Sequence, residues 1–376
     1  MHALFFGTYD AAAHPRVGVL IEGLREHGLV VSECNVPLGL STAARVELLR
    51  RPWLLPRLGA RLLRCWYLLV RGARRATPPD VVVVGYLGHF DVRLARRLFP
   101  RTPIVLDHLI GASDTASDRG VTGGPRQWLL RRLDAGALGA ADVVVVDTEE
   151  HRAALPPVSR EKAVVVAVGA PLPWYAQPRH DRDRAAEPED PPLSVVFFGL
   201  FTPLQGAPVI GAALAELARD PGPRIEVTMI GSGQELAETR QLAGEDASVV
   251  WRDWVAPAQL PALVAEHDVC LGIFGTSAKA LRVVPNKVFQ GAAAGCAIVT
   301  SDTAPQRRLL GGAALYVPPG DATALATTLR GLERDRAALK GARTAASELA
   351  STDFTPVAVT APLAALLATP IPEVRP

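Results

Sequence analysis

Twelve short apolar runs, each about the length of a strand and each followed by a helical pattern, constrain this chain more than any other feature. The first half carries HALFFG (2–7), LVVSECNV (29–36), DVVVVG (80–85), PIVLD (103–107), DVVVVD (142–147) and AVVVAVG (163–169). Amphipathic stretches such as RVGVLIEGLREHG (16–28) lie between them. Branched apolar runs without polar alternation are what strands covered on both faces look like. Strands that alternate with helices build a doubly wound parallel sheet. The pattern stops at 171–192, PLPWYAQPRHDRDRAAEPEDPP, which is rich in Pro and charge and reads as a linker. It restarts with LSVVFFG (193–199), IEVTMIGSG (225–233), ASVVWRD (247–253), DVCLGIFG (268–275), AIVTSD (297–302) and ALYVPPGD (314–321). A helix near 322–350 and another in the last segment complete the chain. The expected organisation is a first α/β domain over 1–170, the linker 171–192, a second α/β domain over 193–350, and a C-terminal helix and tail over 351–376.

A chain of 376 residues is long for one core, which agrees with two domains. A net charge of +2 gives no reason to expect a nucleic-acid partner. The four cysteines are scattered, with no CxxC and no His/Cys cluster at ligand spacing, and read as reduced small hydrophobes. The start, MHALFFGTYD, has neither the basic nor the apolar region of a secretion signal. No run of about 18 apolar residues occurs. The expected location is the cytoplasm.

GTSAKALRVVPNKVFQGAAAG (275–295) opens as a loop carrying Lys279, Arg282, Asn286 and Lys287 and becomes a helix of small residues. Pro285 is expected just before the helix or in its first turn, where a missing N–H is harmless. Cations at a helix's positive end oppose its dipole by about 0.3–1 kcal/mol each. A docked anion neutralises such an arrangement; a solvated basic loop is the alternative. VVFFGLFTPLQGAPVI (195–210) reads as strand, glycine turn at Gly199 and helix, whose first N–H groups can hold a phosphate. MIGSGQE (229–235), with Gly231, Ser232 and Gly233, repeats that device. Neither completes G-x-G-x-x-G, and each is equally a tight strand–helix connection.

In the first half, DHLIGASDTASDRG (107–120) gathers Asp107, His108, Ser113, Asp114, Thr115, Asp118 and Arg119 after a buried strand, where polar groups face a ligand crevice. A capped helix is the alternative there. FGTYDAAAHPR (6–16) carries Gly7, Tyr9, Asp10, His14 and Arg16 to the end of the first strand. GYLGHFD (85–91) offers His89 as an acid/base group or sugar contact. The basic amphipathic stretch 50–76, with Trp53, Trp66 and Tyr67, suits weak peripheral contact with anionic lipid, or an ordinary outer helix. No HExxH, GxSxG or Walker A lysine motif occurs, so hydrolase and NTPase readings have no support.

Together these segments resemble the family 4 glycosyltransferases over almost the full length. The resemblance rests on the FFGTYD…RVGVLIEGLREHG opening, the GSG turn, the V-x-x-x-D-W-V…L-x-x-L-x-x-x-x-D-V spacing (250–269), GAAAGCAIVTSD, and ALYVPPGDATALA. It implies the GT-B fold, two facing Rossmann-like doubly wound parallel-sheet domains with a C-terminal helix free to return to the first. It also implies a retaining, metal-independent sugar transfer from a GDP- or UDP-linked donor, with no cofactor. From their places at strand ends the catalytic candidates are His89, Asp107, His108 and Asp114. Gly199, Lys279, Arg282, Asn286 and Lys287 are expected at the donor diphosphate, and Gly231, Ser232, Gly233 and Gln290 at the nucleotide. Gly7, Tyr9, Asp10, Arg16, Asp118 and Arg119 are expected at the acceptor, a small molecule of secondary metabolism or, alternatively, a lipid-linked or envelope glycan. The chain departs from the family where Arg and Lys usually contact the diphosphate, which here are Leu200 and Gln205. It departs again where a pair of glutamates becomes Arg282 and Gln290. The basic loop before Asn286 and Lys287, similar to one subgroup's, is expected to supply the missing charge. The departures also leave a non-catalytic partner protein and a nucleotide-sugar epimerase as alternatives.

Overall fold

All twelve apolar runs contain strands. β1 (His2–Gly7), β2 (Val30–Asn35), β3 (Val81–Val84), β4 (Ile104–Asp107), β5 (Val143–Val146) and β6 (Ala163–Val165) form one parallel sheet in the order β2-β1-β3-β4-β5-β6. β7 (Leu193–Phe198), β8 (Ile225–Ile230), β9 (Val249–Arg252), β10 (Val269–Leu271), β11 (Ala297–Ser301) and β12 (Ala314–Val317) form a second, in the order β12-β11-β10-β7-β8-β9. The structure, a computed structural model, describes residues 1–11, 14–39, 55–85, 88–109, 111–112, 123–176, 191–219, 225–245 and 248–369. The chain divides into one unit of Met1–Ala167 with Pro356–Pro376 and another of Val168–Thr355.

The valine runs show why these segments are strands. Val81 and Val83 join a core on one face of the first sheet, Val82 and Val84 a core on the other. β5 divides the same way, Val143 and Val145 against Val144 and Val146. Side chains alternate faces with period two, so a strand covered on both sides must be apolar throughout. Each buried valine contributes about 1.5–3 kcal/mol of transfer free energy. One face is covered by the helices Pro15–Glu26 and Pro356–Leu367, which pack together with Leu20, Leu24, Leu363 and Leu367 in a common core. Thus the C-terminal helix returns to the first unit, where His27 Nε2 also lies 2.9 Å from the Val357 carbonyl. By composition 336–367 contains a window apolar enough for a membrane span, yet it is two helices, Arg336–Asp353 and Pro356–Leu367, one in each unit.

Two details differ from the sequence expectations, and a third gains definition. The helix expected near 322–350 is two, Ala322–Arg334 and Arg336–Asp353. Asp335 ends the first and caps the second, its Oδ1 accepting from Ala338 N at 2.8 Å, which is the usual preference of Asp for helix starts over interiors. Within the stretch read as a linker, Leu172–Trp174 form a 3-10 turn, and Trp174 stacks on Phe198 of β7 at 5.7 Å. The part from 177 to 190 lies outside the described residues. Finally, the basic segment forms a helix over Leu55–Ala73 that buries Cys65 and Leu69 and exposes Arg57, Arg61, Arg64 and Arg71 beside Leu63, Tyr67 and Leu68. Its beginning, with Trp53, is outside the described residues.

Candidate functional site

The second sheet has the strand order of dinucleotide-binding folds, in which the chain reverses direction between β7 and β10 and ligands bind beyond the strands' carboxyl ends. Gly199 lies at that reversal, directly after β7, with φ +139. Its backbone N–H donates to the Ile230 carbonyl at 3.0 Å. Gly231 follows β8 so closely that a Cβ there would stand 1.9 Å from the Gly199 carbonyl oxygen. The glycine at 231 is therefore required by the approach of two strand ends, whatever else binds nearby. Ser232 belongs to the same junction, its carbonyl accepting from Phe201 N at 3.0 Å.

Pro285 is the N-cap of the helix Asn286–Ala293, in extended conformation with ψ 151. Asn286 opens the helix and is exposed, while Lys287 is 4% exposed. A helical side chain leans towards the helix start, and that of Lys287 reaches β7. Its Nζ donates to Gln205 Oε1 and lies 3.6 Å from the centroid of the Phe197 ring. A Cβ on Gly199 would come within 3.4 Å of the same nitrogen. Among the described residues no carboxylate meets this ammonium, and burial pushes its pKa down to about 7, with the Cys270 thiol opposing. The other cations of the loop are held locally. Arg282 Nε donates to the Ala278 carbonyl at 2.9 Å, and Lys279 is buried at the start of the 3-10 turn Ala280–Arg282. Gln290 is buried on the same helix as Lys287. Gln205, which the resemblance marks as a lost cation, is thus the partner of a buried one.

Beyond β9 a concavity of about 670 Å³ is lined by Arg252, Trp254, Val255, Gln259, Leu263 and Glu266. It adjoins the glycine turn through the Gly231 N–H, which donates to the Arg252 carbonyl at 2.8 Å.

In the first unit the chain reverses between β1 and β3. Asp91, which the sequence reading left without a role, organises that place. Its Oδ2 accepts from the N–H and the hydroxyl of Thr8, both at 2.7 Å, and its Oδ1 from Trp66 Nε1 at 2.9 Å. Gly7 lies against it, a Cβ there meeting Asp91 Oδ2 at 3.1 Å. Two residues expected at the acceptor are instead internal. Tyr9 is 3% exposed and donates its hydroxyl to Glu33 Oε2 at 2.8 Å. Arg16, 2% exposed, holds Asp107 at 2.8 Å through Nε and the carbonyls of Val166 and Ala167 through its terminal nitrogens. That ion pair occupies Asp107 too, whose carboxyl is raised by burial against the pull of Arg16. Both residues fix β4 and β6 rather than present free groups, because a buried charge needs a partner. Asp10 is half-buried, its carbonyl accepting from His14 N at 2.9 Å.

His89 and His108 come together with rings edge to face at 5.5 Å, and His89 Nε2 lies 3.2 Å from Asp134 Oδ1. Burial first, and the nearby His89 second, push His108 down to about 4, so it is neutral at ordinary pH. Asp134, missed from the sequence, lies mid-helix in Gly124–Ala140, 26 residues after His108 with no motif to join them. Asp114, Asp118 and Arg119 lie outside the described residues.

Two doubly wound parallel units, the second with a lysine buried at its crevice, are the elements of a GT-B-like architecture. Residues 192–335 match the protein family described as Glycosyl transferases group 1. Among solved structures the chain is similar to Anabaena Alr3699/HepE in complex with UDP and glucose, at 16% identity and TM-score 0.67, covering 98% of this chain and 99% of that one. It is also similar to sucrose-phosphate synthase from Thermosynechococcus elongatus, at 16% identity and TM-score 0.70, covering 98% of each chain. A third, E. coli trehalose-6-phosphate bound with UDP-2-fluoro glucose, gives 13% identity and TM-score 0.67 over 98% of this chain and 99% of that chain. The chain has the fold of these GT-B proteins. No curated protein sequence matches it.

Proposed function

We propose that the protein is a retaining glycosyltransferase that moves a sugar from a nucleoside diphosphate donor to an acceptor hydroxyl, without a metal in the reaction. The observation that carries this reading is Lys287, an ammonium buried against Gly199 at the sheet's reversal with no counter-charge among the described residues. A diphosphate is the group that such a place lacks. The family match to 192–335 falls on the same unit, and the UDP-glucose complex of HepE supports UDP as the donor nucleotide. The base is assigned to the loop after β9, whose concavity adjoins the glycine turn.

In this reading the acceptor oxygen bonds to the anomeric carbon on the face from which the diphosphate departs. The bond from that carbon to the phosphate oxygen breaks with its electron pair, and the acceptor's proton passes to the leaving oxygen. Negative charge grows on the diphosphate, so a cation fixed in advance is the principal catalytic aid. Lys287, held by Gln205 and the Phe197 ring, takes the role that Arg and Lys at positions 200 and 205 have in the resembling family. A small acceptor is our first reading. The exposed arginines of Leu55–Ala73, interleaved with Leu63, Tyr67 and Leu68, favour a second, in which the acceptor is carried on a lipid.

Thermal shift with UDP, GDP, ADP and dTDP tests the proposal. A ligand at about 100 times its dissociation constant stabilises by roughly 2.7 kcal/mol. One nucleotide is expected to shift the wild type and to lose that effect in Lys287→Ala. Absence of any shift at millimolar nucleotide overturns it.

A further inference from the structure

We propose that His89, His108 and Asp134 form a binding site for one divalent transition-metal ion, zinc foremost, within the first unit. The three residues come from separate elements: the turn before the helix Asp91–Leu98, the residue after β4, and the middle of the helix Gly124–Ala140. His89 is 6% and Asp134 8% exposed, and the Nε2 atom of His108 is shielded from solvent. Their donor atoms, one from each residue, all lie within 4.8 Å of one another.

Two orphaned nitrogens point to a ligand. The Nε2 atoms of both histidines are buried without a hydrogen-bond partner. His89 Nε2 does approach Asp134 Oδ1 to 3.2 Å, but out of line for a hydrogen bond. Buried polar groups are nearly always satisfied, and each exception calls for a cause. Here one of the two, His89 Nε2, faces Asp134, and His108 brings a donor nitrogen to the same cluster. A metal ion held with the Asp134 carboxylate satisfies both nitrogens, since imidazole nitrogen and carboxylate oxygen are its usual donors. Bonds of about 2.0–2.1 Å place tetrahedral donors roughly 3.3–3.5 Å apart. The His89–Asp134 pair, at 3.2 Å, is close to that spacing already, and the widest pair lies within 4.8 Å. The carboxylate is oriented from behind, Asp134 Oδ1 also accepting from Ala112 N at 2.9 Å, the kind of support metal-binding groups receive. Two nitrogens and an oxygen suit zinc, cobalt, nickel or copper and disfavour magnesium and calcium. Three protein ligands leave a fourth position for water or a bound molecule. The inference stands apart from the transferase reading: it concerns binding in the first unit, and no step of the transfer is routed through the ion.

The test uses the full chain, stripped with chelator and titrated with cobalt(II) and zinc(II). One equivalent of cobalt is expected to give a visible absorption band that zinc abolishes, and zinc is expected to raise the melting temperature. Asp134→Asn and His108→Gln are each expected to weaken zinc binding by at least about 100-fold, as loss of a ligand exceeds loss of an outer-shell partner, with circular dichroism unchanged. If Asp134→Asn fails to fold, His89→Gln, in a turn, takes its place. Wild type that binds no stoichiometric cobalt or zinc overturns the proposal, as does binding that survives in the variants at other histidines.

Discussion

Replacing Lys287 by Met isolates what the buried ammonium does. In the folded chain its pKa is about 7, against 10.5 for an ordinary lysine. At about 1.4 kcal/mol per unit the full difference is about 5 kcal/mol, and about 4 kcal/mol of it acts at pH 7, where half the groups remain charged. The sign follows from proton counts. Between pH 7 and 10.5 the unfolded chain holds a proton that the folded chain has shed, so this residue's contribution to stability rises with pH. Below pH 7 both states are protonated and the full penalty applies. Met keeps the length and removes the charge, but it leaves Gln205 Oε1 without its donor and Phe197 without its cation, a loss of about 1–3 kcal/mol. The net expectation for the empty protein at pH 7 is a gain of about 1–3 kcal/mol, or roughly 2–10 °C in Tm for a unit of this size. The gain shrinks as pH rises towards 10. Melting curves of both proteins from pH 6 to 10, with and without UDP, provide the assay. A variant less stable than wild type at pH 7, or a difference indifferent to pH, refutes the reasoning, as does a variant that UDP stabilises as well as it does the wild type.

Gly199→Ala places a side chain at φ +139 and a Cβ 3.4 Å from Lys287 Nζ. We expect a cost of about 1–2 kcal/mol and loss of nucleotide binding, read by denaturant titration and calorimetry. Arg16→Met leaves the buried Asp107 carboxyl without its partner, which costs about 3–5 kcal/mol; Arg16→Met with Asp107→Leu is expected to recover part of it in the same titration. If the exposed arginine stripe meets lipid, anionic vesicles sediment the protein at low salt and release it at high salt, and Leu63→Ser with Tyr67→Ser weakens the association.

The strands were legible because a strand covered on both faces has no choice but to be apolar throughout, as in DVVVVG and DVVVVD. The break at Asp335 was not, since a capping side chain interrupts a helical pattern without altering its apolar period. The Arg16–Asp107 pair joins residues far apart in sequence, and nothing local marks either as internal. Hence Arg16 and Tyr9 read as acceptor contacts, yet they are buried. The basic loop was legible as a set, whereas the division of labour within it was not. Lys287 shares its helix face with Gly291, four positions on, and a lysine on a face of small buried residues is the signal available for its inward direction. Of the His89–His108–Asp134 cluster the two histidines stood out in the sequence, but nothing joined them to Asp134, because the three come from separate elements with no common motif.

The central claim, that Lys287 receives the donor's diphosphate, is tested most directly by calorimetric titration of the wild type with UDP at pH 8 in buffers of different ionisation enthalpy. A lysine with pKa about 7 is about nine-tenths neutral at that pH, and a bound diphosphate restores its charge. Uptake of about 0.9 proton per UDP, lost in Lys287→Met, is the predicted result. Binding with no proton uptake, or uptake that persists in the variant, contradicts the account.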